Sequence, residues 1–187
     1  MISPRLTDSN STGAPAAISG RVTQFSERYN EYFPRVFAYI YARVHNVHVT
    51  EDLVADVFER AFVKADTLRN SDAFSTWLFT IARNIIISNG RKRSRETVVD
   101  PDVLKDIAPS GASVEGEVVS REEVRVIALL LSEFPQREQD IVALKFDAEL
   151  PNAQIARIMD VSEVNIRVIL FRTLRKLREL MSAHAGG

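Results

Sequence analysis

From residue 21 onward the large apolar side chains recur every three or four positions, with polar and charged residues between them. This is the pattern of helices that each bury one face. Phe25, Tyr29, Tyr32/Phe33, Val36/Phe37, Ile40 and Val44 form the first stripe. Pro34 falls inside it and predicts a break or kink, because proline lacks a backbone donor and clashes with the preceding turn. Leu53, Val57, Ala61 and Ala65, flanked by Val54, Phe58 and Phe62, form the second stripe. Thr50 is its expected N-cap, with Glu51 and Asp52 in the first turn, where the helix dipole favours anions. A polar loop at residues 66–72 leads to a third helix with Phe74, Leu78, Ile81 and Ile85 on one line, capped by Ser71 or Asp72. Its expected end is Asn89-Gly90, a C-cap signal. Trp77 and the aromatic stripe of the first helix read as core rather than as base-stacking platforms.

Residues 96–119 lose the helical period and carry Pro101, Pro109, Gly111 and Gly116. Six carboxylates there face a single Lys105, which reads as an acidic linker. Its acidity fits simple solubility, and it equally fits shielding of neighbouring basic modules or mimicry of nucleic acid. Periodicity resumes with the capping box Ser120-Arg-Glu-Glu123, then Val124, Ile127/Ala128 and Leu131. Phe134-Pro135 ends that helix and Pro135 fits the first turn of the next, which carries Ile141, Leu144 and Lys145.

The stretch PNAQIARIMDVSEVNIRVILFRTLRKLREL, residues 151–180, divides into two helices around Asp160-Val161-Ser162. Asp tolerates left-handed backbone and Ser is a good N-cap, so the break is a turn followed by a helix start. In the second helix Ile166, Ile169/Leu170, Thr173/Leu174 and Leu177 make the apolar line, and Arg167, Arg172, Arg175, Lys176 and Arg178 fall largely off it. This is the pattern of a helix-turn-helix, and it also fits an amphipathic hairpin with a solvated basic face. With no alternating strand pattern and no long-range repeat, the expected fold is all-α. Two small helical domains are joined by the linker: a disordered arm over residues 1–20, a first domain over 21–95, the linker over 96–119, a second domain over 120–181, and a tail over 182–187.

Charge and composition narrow the chemistry. The net charge of −1 announces no global affinity for nucleic acid, so DNA binding must rest on local clusters. One is RKRSR at residues 91–95, four cations in five residues at a helix end, which suits phosphate contacts or a solvated basic end. Asp52, Asp56 and Glu59 form an acidic edge that fits both a solvated face and a docking surface for a basic partner. The chain has no cysteine and its three histidines make no ligand set, so no metal site is expected. Without a Gly-rich phosphate loop or a nucleophile–base constellation, no enzyme, cofactor or small-molecule substrate is expected either. The first twenty residues lack the apolar run of a signal peptide and no stretch suits a membrane span, so a cytoplasmic location is expected.

Taken in order, FSERYNEYFPRVFAYI, TEDLVADVFERAFVKAD and FSTWLFTIARNIIISNGRKR, followed by FPQREQDIVALKF and the helix-turn-helix, resemble one family. It is the bacterial RNA polymerase sigma factors of the extracytoplasmic-function (ECF) class, and the resemblance covers roughly residues 22–180. It implies a protein that binds core RNA polymerase and directs initiation at promoters by recognising −35 and −10 elements and aiding melting. Asp52, Leu53, Asp56 and Glu59 would dock on the clamp helices of the largest polymerase subunit, and the second domain would meet the flap of the second subunit. Arg69, Asn70, Arg83, Asn84, Arg91, Lys92 and Arg93 would contact the −10 region, with Asn84 reading an exposed base edge and the cations holding phosphates. Ser162, Glu163, Asn165, Arg167, Arg172, Arg175 and Lys176 would contact the −35 element, with Asn165 and Arg167 at base edges. An anti-sigma partner is also implied.

The chain departs from the family where Val164-Asn165-Ile166-Arg167-Val168-Ile169 replaces the usual Gly-Thr-Val-Lys-Ser-Arg. Asp160 also stands where Gly is usual, and Ala153-Gln154 where two acidic residues are common. The rival reading is a stand-alone helix-turn-helix regulator, which leaves the N-terminal half without a role.

Overall fold

The structure, a computed structural model, describes residues 14–65, 73–96 and 121–185. These form α1 (Ala14–Val44), α2 (Val47–Lys64), α3 (Phe74–Glu96), α4 (Arg121–Ser132), α5 (Gln136–Phe146), α6 (Asn152–Met159) and α7 (Glu163–Ala185). No strand occurs among the described residues. The all-α expectation holds, with three helices before the acidic segment and four after it among the described residues.

Several element boundaries differ from those read off the sequence. Helix α1 starts at Ala14, inside the stretch expected to be an unstructured arm. Pro15 in its first turn and the alanines that follow are compatible with helix there. The helix also runs through Pro34 instead of breaking. An interior proline costs about 3 kcal/mol, but Val36, Tyr39 and Ile40 just beyond it are all 0 % exposed. Each such side chain contributes about 1.5–3 kcal/mol on burial, so packing outweighs the missing bond.

Asn46, rather than Thr50, caps α2: its side-chain oxygen accepts from the Val49 N–H at 2.9 Å. Thr50 is fully buried and its hydroxyl donates to the Asn46 carbonyl at 2.8 Å. At its far end α3 continues past Asn89-Gly90 to Glu96. Gly90 has open space around it, and the cations that follow suit a helix C-terminus, where the dipole favours positive charge. Pro135 is the N-cap of α5 rather than a first-turn residue. The capping residue Ser120 lies outside the described residues, as do Ser71 and Asp72. Helix α7 extends to Ala185, beyond the expected start of a tail.

Helices α1, α2 and α3 pack on one another over Leu53, Val57, Phe58, Leu78 and Phe79. The aromatic stripe of α1 packs against the edge of the core rather than lying within it: Phe25, Tyr32, Phe33 and Phe37 are partly buried and Tyr29 is exposed, with Phe25 meeting Phe62 edge-on at 5.0 Å and Tyr29 meeting Phe58 at 4.5 Å. Trp77 is partly buried beside Phe74, at 5.8 Å. In the second half α7 lies against α4, α5 and α6. The two halves also touch directly, α1 against α5 and α3 against α6.

Two carboxylates carry predictions about stability. Asp160 ends α6 in the left-handed region (φ 54°, ψ 54°), and the Val161 N–H closes the turn on the Ala156 carbonyl at 3.0 Å. Glycine adopts this backbone without the Cβ penalty. Asp160→Gly should therefore stabilise the chain by about 0.5–1 kcal/mol in urea unfolding. Asp147, at the C-cap of α5, has its carboxyl pushed up to about 6 by burial. Because the folded pKa exceeds the unfolded one, the folded state binds more protons in this window, and stability falls as pH rises from about 4 to 6. Asp147→Asn should match the parent near pH 4 and exceed it by about 1–3 kcal/mol at pH 7, read from unfolding curves at both pH values.

Candidate nucleic-acid interface

The helix-turn-helix is α6, the Asp160–Val161–Ser162 turn and α7. Ile155, Ile158 and Met159 on α6 and Ile166, Leu170 and Leu177 on α7 are all buried, which locks the angle between the two helices. Ser162 caps α7 as the sequence predicts, its hydroxyl accepting from the Asn165 N–H at 3.2 Å. Thr173, 2 % exposed, donates to Glu138 Oε2 at 2.9 Å and ties α7 back to α5.

With its apolar line turned inward, α7 presents the opposite face to solvent. Ser162, Glu163, Asn165, Arg167, Arg172, Arg175 and Lys176 are all exposed on or just before it. They differ in what already holds them. Arg175 pairs with Glu179 at 3.4 Å, and the Lys176 ammonium lies 5.0 Å from the centre of the Phe134 ring. Arg167 and Arg172 have no ion-pair partner among the described residues.

On α2, Asp52, Asp56 and Glu59 are exposed along one edge. Leu53 is 7 % exposed and faces the core, so it braces the helix instead of presenting itself to a partner. On α3, Asn84 and Arg91 are exposed, and Lys92 and Arg93 lie in the helix's last turns. Arg69 and Asn70 lie outside the described residues.

Arg83 has a different environment. Its side chain reaches the second half, where Nε lies 3.3 Å from Asp140 Oδ2. The approach is too poorly angled for a hydrogen bond, so Nε is buried without one. The other Asp140 oxygen, Oδ1, accepts from Arg43 Nε at 2.8 Å, and the Arg43 guanidinium also donates to Gln139. One carboxylate, 5 % exposed, thus sits between two guanidiniums of the other half. Around it Arg35 donates to the Ala148 carbonyl at 2.8 and 2.6 Å, and Ser75 donates to Gln154 at 2.9 Å. Tyr39 is fully buried beside this cluster with its hydroxyl unpartnered. Burial first, and the Asp140 charge second, push that hydroxyl well above its ordinary pKa.

Sequence reasoning missed this contact, although one signal existed. Asp140 lies one turn before Leu144, on the buried line of α5, where a carboxylate needs a cationic partner. The partner itself, 97 residues away, has no local signature.

No metal-ligand cluster and no helix long and apolar enough to cross a membrane occurs among the described residues. The chain matches Sigma-70 region 2 over residues 28–96 and Sigma-70 region 4 over residues 130–179. It is 27 % identical to the ECF RNA polymerase sigma factor SigM of Bacillus subtilis, over 82 % of this chain and 93 % of that protein. It is likewise 27 % identical to SigW of the same organism, over 83 % and 87 %. Its fold is similar to sigma factor RpoE of Bartonella quintana, solved with the anti-sigma factor NepR: TM-score 0.66, 21 % identity, 85 % of this chain and 97 % of that one. It is similar too to CnrH, solved with the cytosolic domain of CnrY: TM-score 0.67, 18 % identity, 90 % and 94 %. The chain belongs to the sigma-70 family of RNA polymerase sigma factors, in its ECF class. It is a DNA-binding initiation factor that works with core RNA polymerase at promoters.

Proposed function

We propose that the two halves divide promoter recognition between them, and that the chain acts by binding alone, as a cytoplasmic factor without chemistry of its own. Residues 21–95 act as the polymerase-docking and −10 module and residues 120–181 as the −35 module, with residues 96–119 joining them. The acidic edge Asp52, Asp56 and Glu59 meets a basic surface of core polymerase, with the clamp helices as the site. Asn84 reads an unstacked base of the −10 element, since its amide both donates and accepts. Arg83, Arg91, Lys92 and Arg93 hold the neighbouring phosphates, with Arg69 and Asn70 as further contacts. Helix α7 enters the major groove of the −35 element with its N-terminal end, while Arg172, Arg175 and Lys176 meet backbone. The observation that carries this reading is that region 2 and region 4 lie in one chain with the α2 edge and the outer face of α7 both free.

Regulation follows from the contact between the halves. While Asp140 holds Arg83, that guanidinium is withheld from phosphate. The −35 and −10 elements lie about two helical turns apart on DNA, so modules in direct contact cannot occupy both. Core polymerase therefore has to separate the halves. RpoE and CnrH, similar in fold, were solved bound to NepR and CnrY, and an anti-sigma partner covering the same surfaces of this chain is part of the reading.

The test is reconstitution with bacterial core polymerase and a genomic promoter library. The expected result is start-site-specific transcription only when the chain is present. Tight binding of duplex DNA by the chain alone, with no effect on core, would make it a stand-alone regulator.

A further inference from the structure

The buried line of α7 is Ile166, Leu170, Thr173 and Leu177. At about 100° per residue, the line directly opposite is Val164, Val168, Phe171 and Arg175. The first three are apolar, yet 60 %, 46 % and 68 % exposed. Single exposed apolar residues need no explanation, but an unbroken row at i, i+4 and i+7 on the outermost ridge of a helix marks a binding surface. Asn165 and Arg167 sit about a quarter-turn to either side of this ridge, and both are exposed beside it.

The surroundings of the row indicate what covers it. Arg167 lies to one side and Arg172 to the other, both exposed and without an ion-pair partner among the described residues. An apolar groove on a protein would have to strip water from both guanidiniums to reach the valines. A DNA duplex pairs them with phosphate, and its major groove offers one apolar handle at base level, the thymine C5-methyl. Valine is suited to this contact, because its branched Cβ holds few rotamers and little side-chain freedom is lost on binding.

Resting on the reading of α7 as the major-groove helix, we propose that Val164 and Val168 determine −35 specificity by packing against thymine methyl groups. The element is then defined at one or two positions by thymine, with Arg167 and Arg172 anchoring the flanking phosphates. Val164 and Val168 are one helical turn, about 6 Å, apart along the axis. Their thymines therefore lie within one or two base-pair steps of each other.

The experiment uses holoenzyme assembled from the full chain and bacterial core. A duplex randomised in the −35 region is selected for binding, and each thymine of the selected element is then replaced by deoxyuridine. Uracil keeps the pairing and the O4 acceptor and lacks only the methyl. Loss of one buried methyl should weaken binding roughly threefold to tenfold at one or two positions. Val164→Ala and Val168→Ala should each become indifferent to the replacement at its own position and keep the parent's response at the other. Both valines are exposed, so the variants should fold as the parent does, with thermal melting as the check.

If deoxyuridine is tolerated everywhere, the proposal falls while the major-groove reading stands. Sensitivity that persists in each alanine variant at the position assigned to its own valine overturns it as well, because another group must then read the methyl. If no −35 preference is selected although the holoenzyme melts the −10 element, the major-groove reading falls and takes the proposal with it. Tight binding of a protein helix to the same ridge, competing with no DNA, would assign the row to a protein partner instead.

Discussion

Asp140→Ala should open the free chain and strengthen its binding to core polymerase. The parent carboxylate is 5 % exposed and faces Arg43 at 2.8 Å and Arg83 at 3.3 Å. Removing one member of a buried ion cluster typically costs 3–5 kcal/mol, because the remaining charges keep their desolvation penalty without compensation. Here the guanidiniums have an escape: both belong to the first half, and separating the halves returns them to water. The loss is therefore capped at the free energy of the contact between halves, and the expected outcome is opening rather than unfolding.

Since the chain lacks cysteine, Ser88→Cys and Ala153→Cys, both at exposed positions, would give a single dye pair across the α3–α6 contact. Transfer efficiency should be high in the parent and fall in the Asp140→Ala background. Core affinity should rise roughly tenfold for every 1.4 kcal/mol of closure removed, as a binding-competent state becomes more populated. Arg35→Ala is the companion variant. It deletes the bonds to the Ala148 carbonyl without stranding a charge, and it should open the chain in the same direction. Unchanged transfer in a folded Asp140→Ala protein would mean that the ion cluster does not hold the halves together.

The second large effect is expected on α2. Reversing Asp52, Asp56 and Glu59 to lysine leaves the core untouched, since all three are exposed, and melting should move little. Each reversal exchanges an attraction for a repulsion at a basic partner surface, worth about 1 kcal/mol at a screened rim. Together they should weaken core binding by about 30- to 150-fold, most of it in the association rate, and the deficit should shrink as salt is raised. Equal affinity of the folded triple variant would place docking elsewhere on the first half.

The helical stripes were legible because burial of one face imposes a period that composition alone cannot mimic. The Ser162 cap and the turn at Asp160 were legible for the same kind of reason: each is a local bond or a local backbone angle, set by residues within five positions. Boundaries were less so where two local rules competed. Asn46 and Thr50 are both sound caps, and Asn46 prevailed because Thr50 is needed in the core. Pro34 and Gly90 are helix breakers by propensity, and both lie inside helices that packing or terminal charge sustains.

The sequence by itself therefore determined the all-α architecture, the helix-turn-helix and its basic second helix, and the acidic edge of α2. All of these are written in spacings shorter than two helical turns. Tertiary structure alone decided how open the outer ridge of α7 is, leaving Val164 60 % and Val168 46 % exposed. It also brought Asp140 to two arginines of the other half. A charge pair between residues 97 positions apart leaves no periodic trace. Its existence depends on how two finished helical surfaces fit, and that fit is a property of the folded chain.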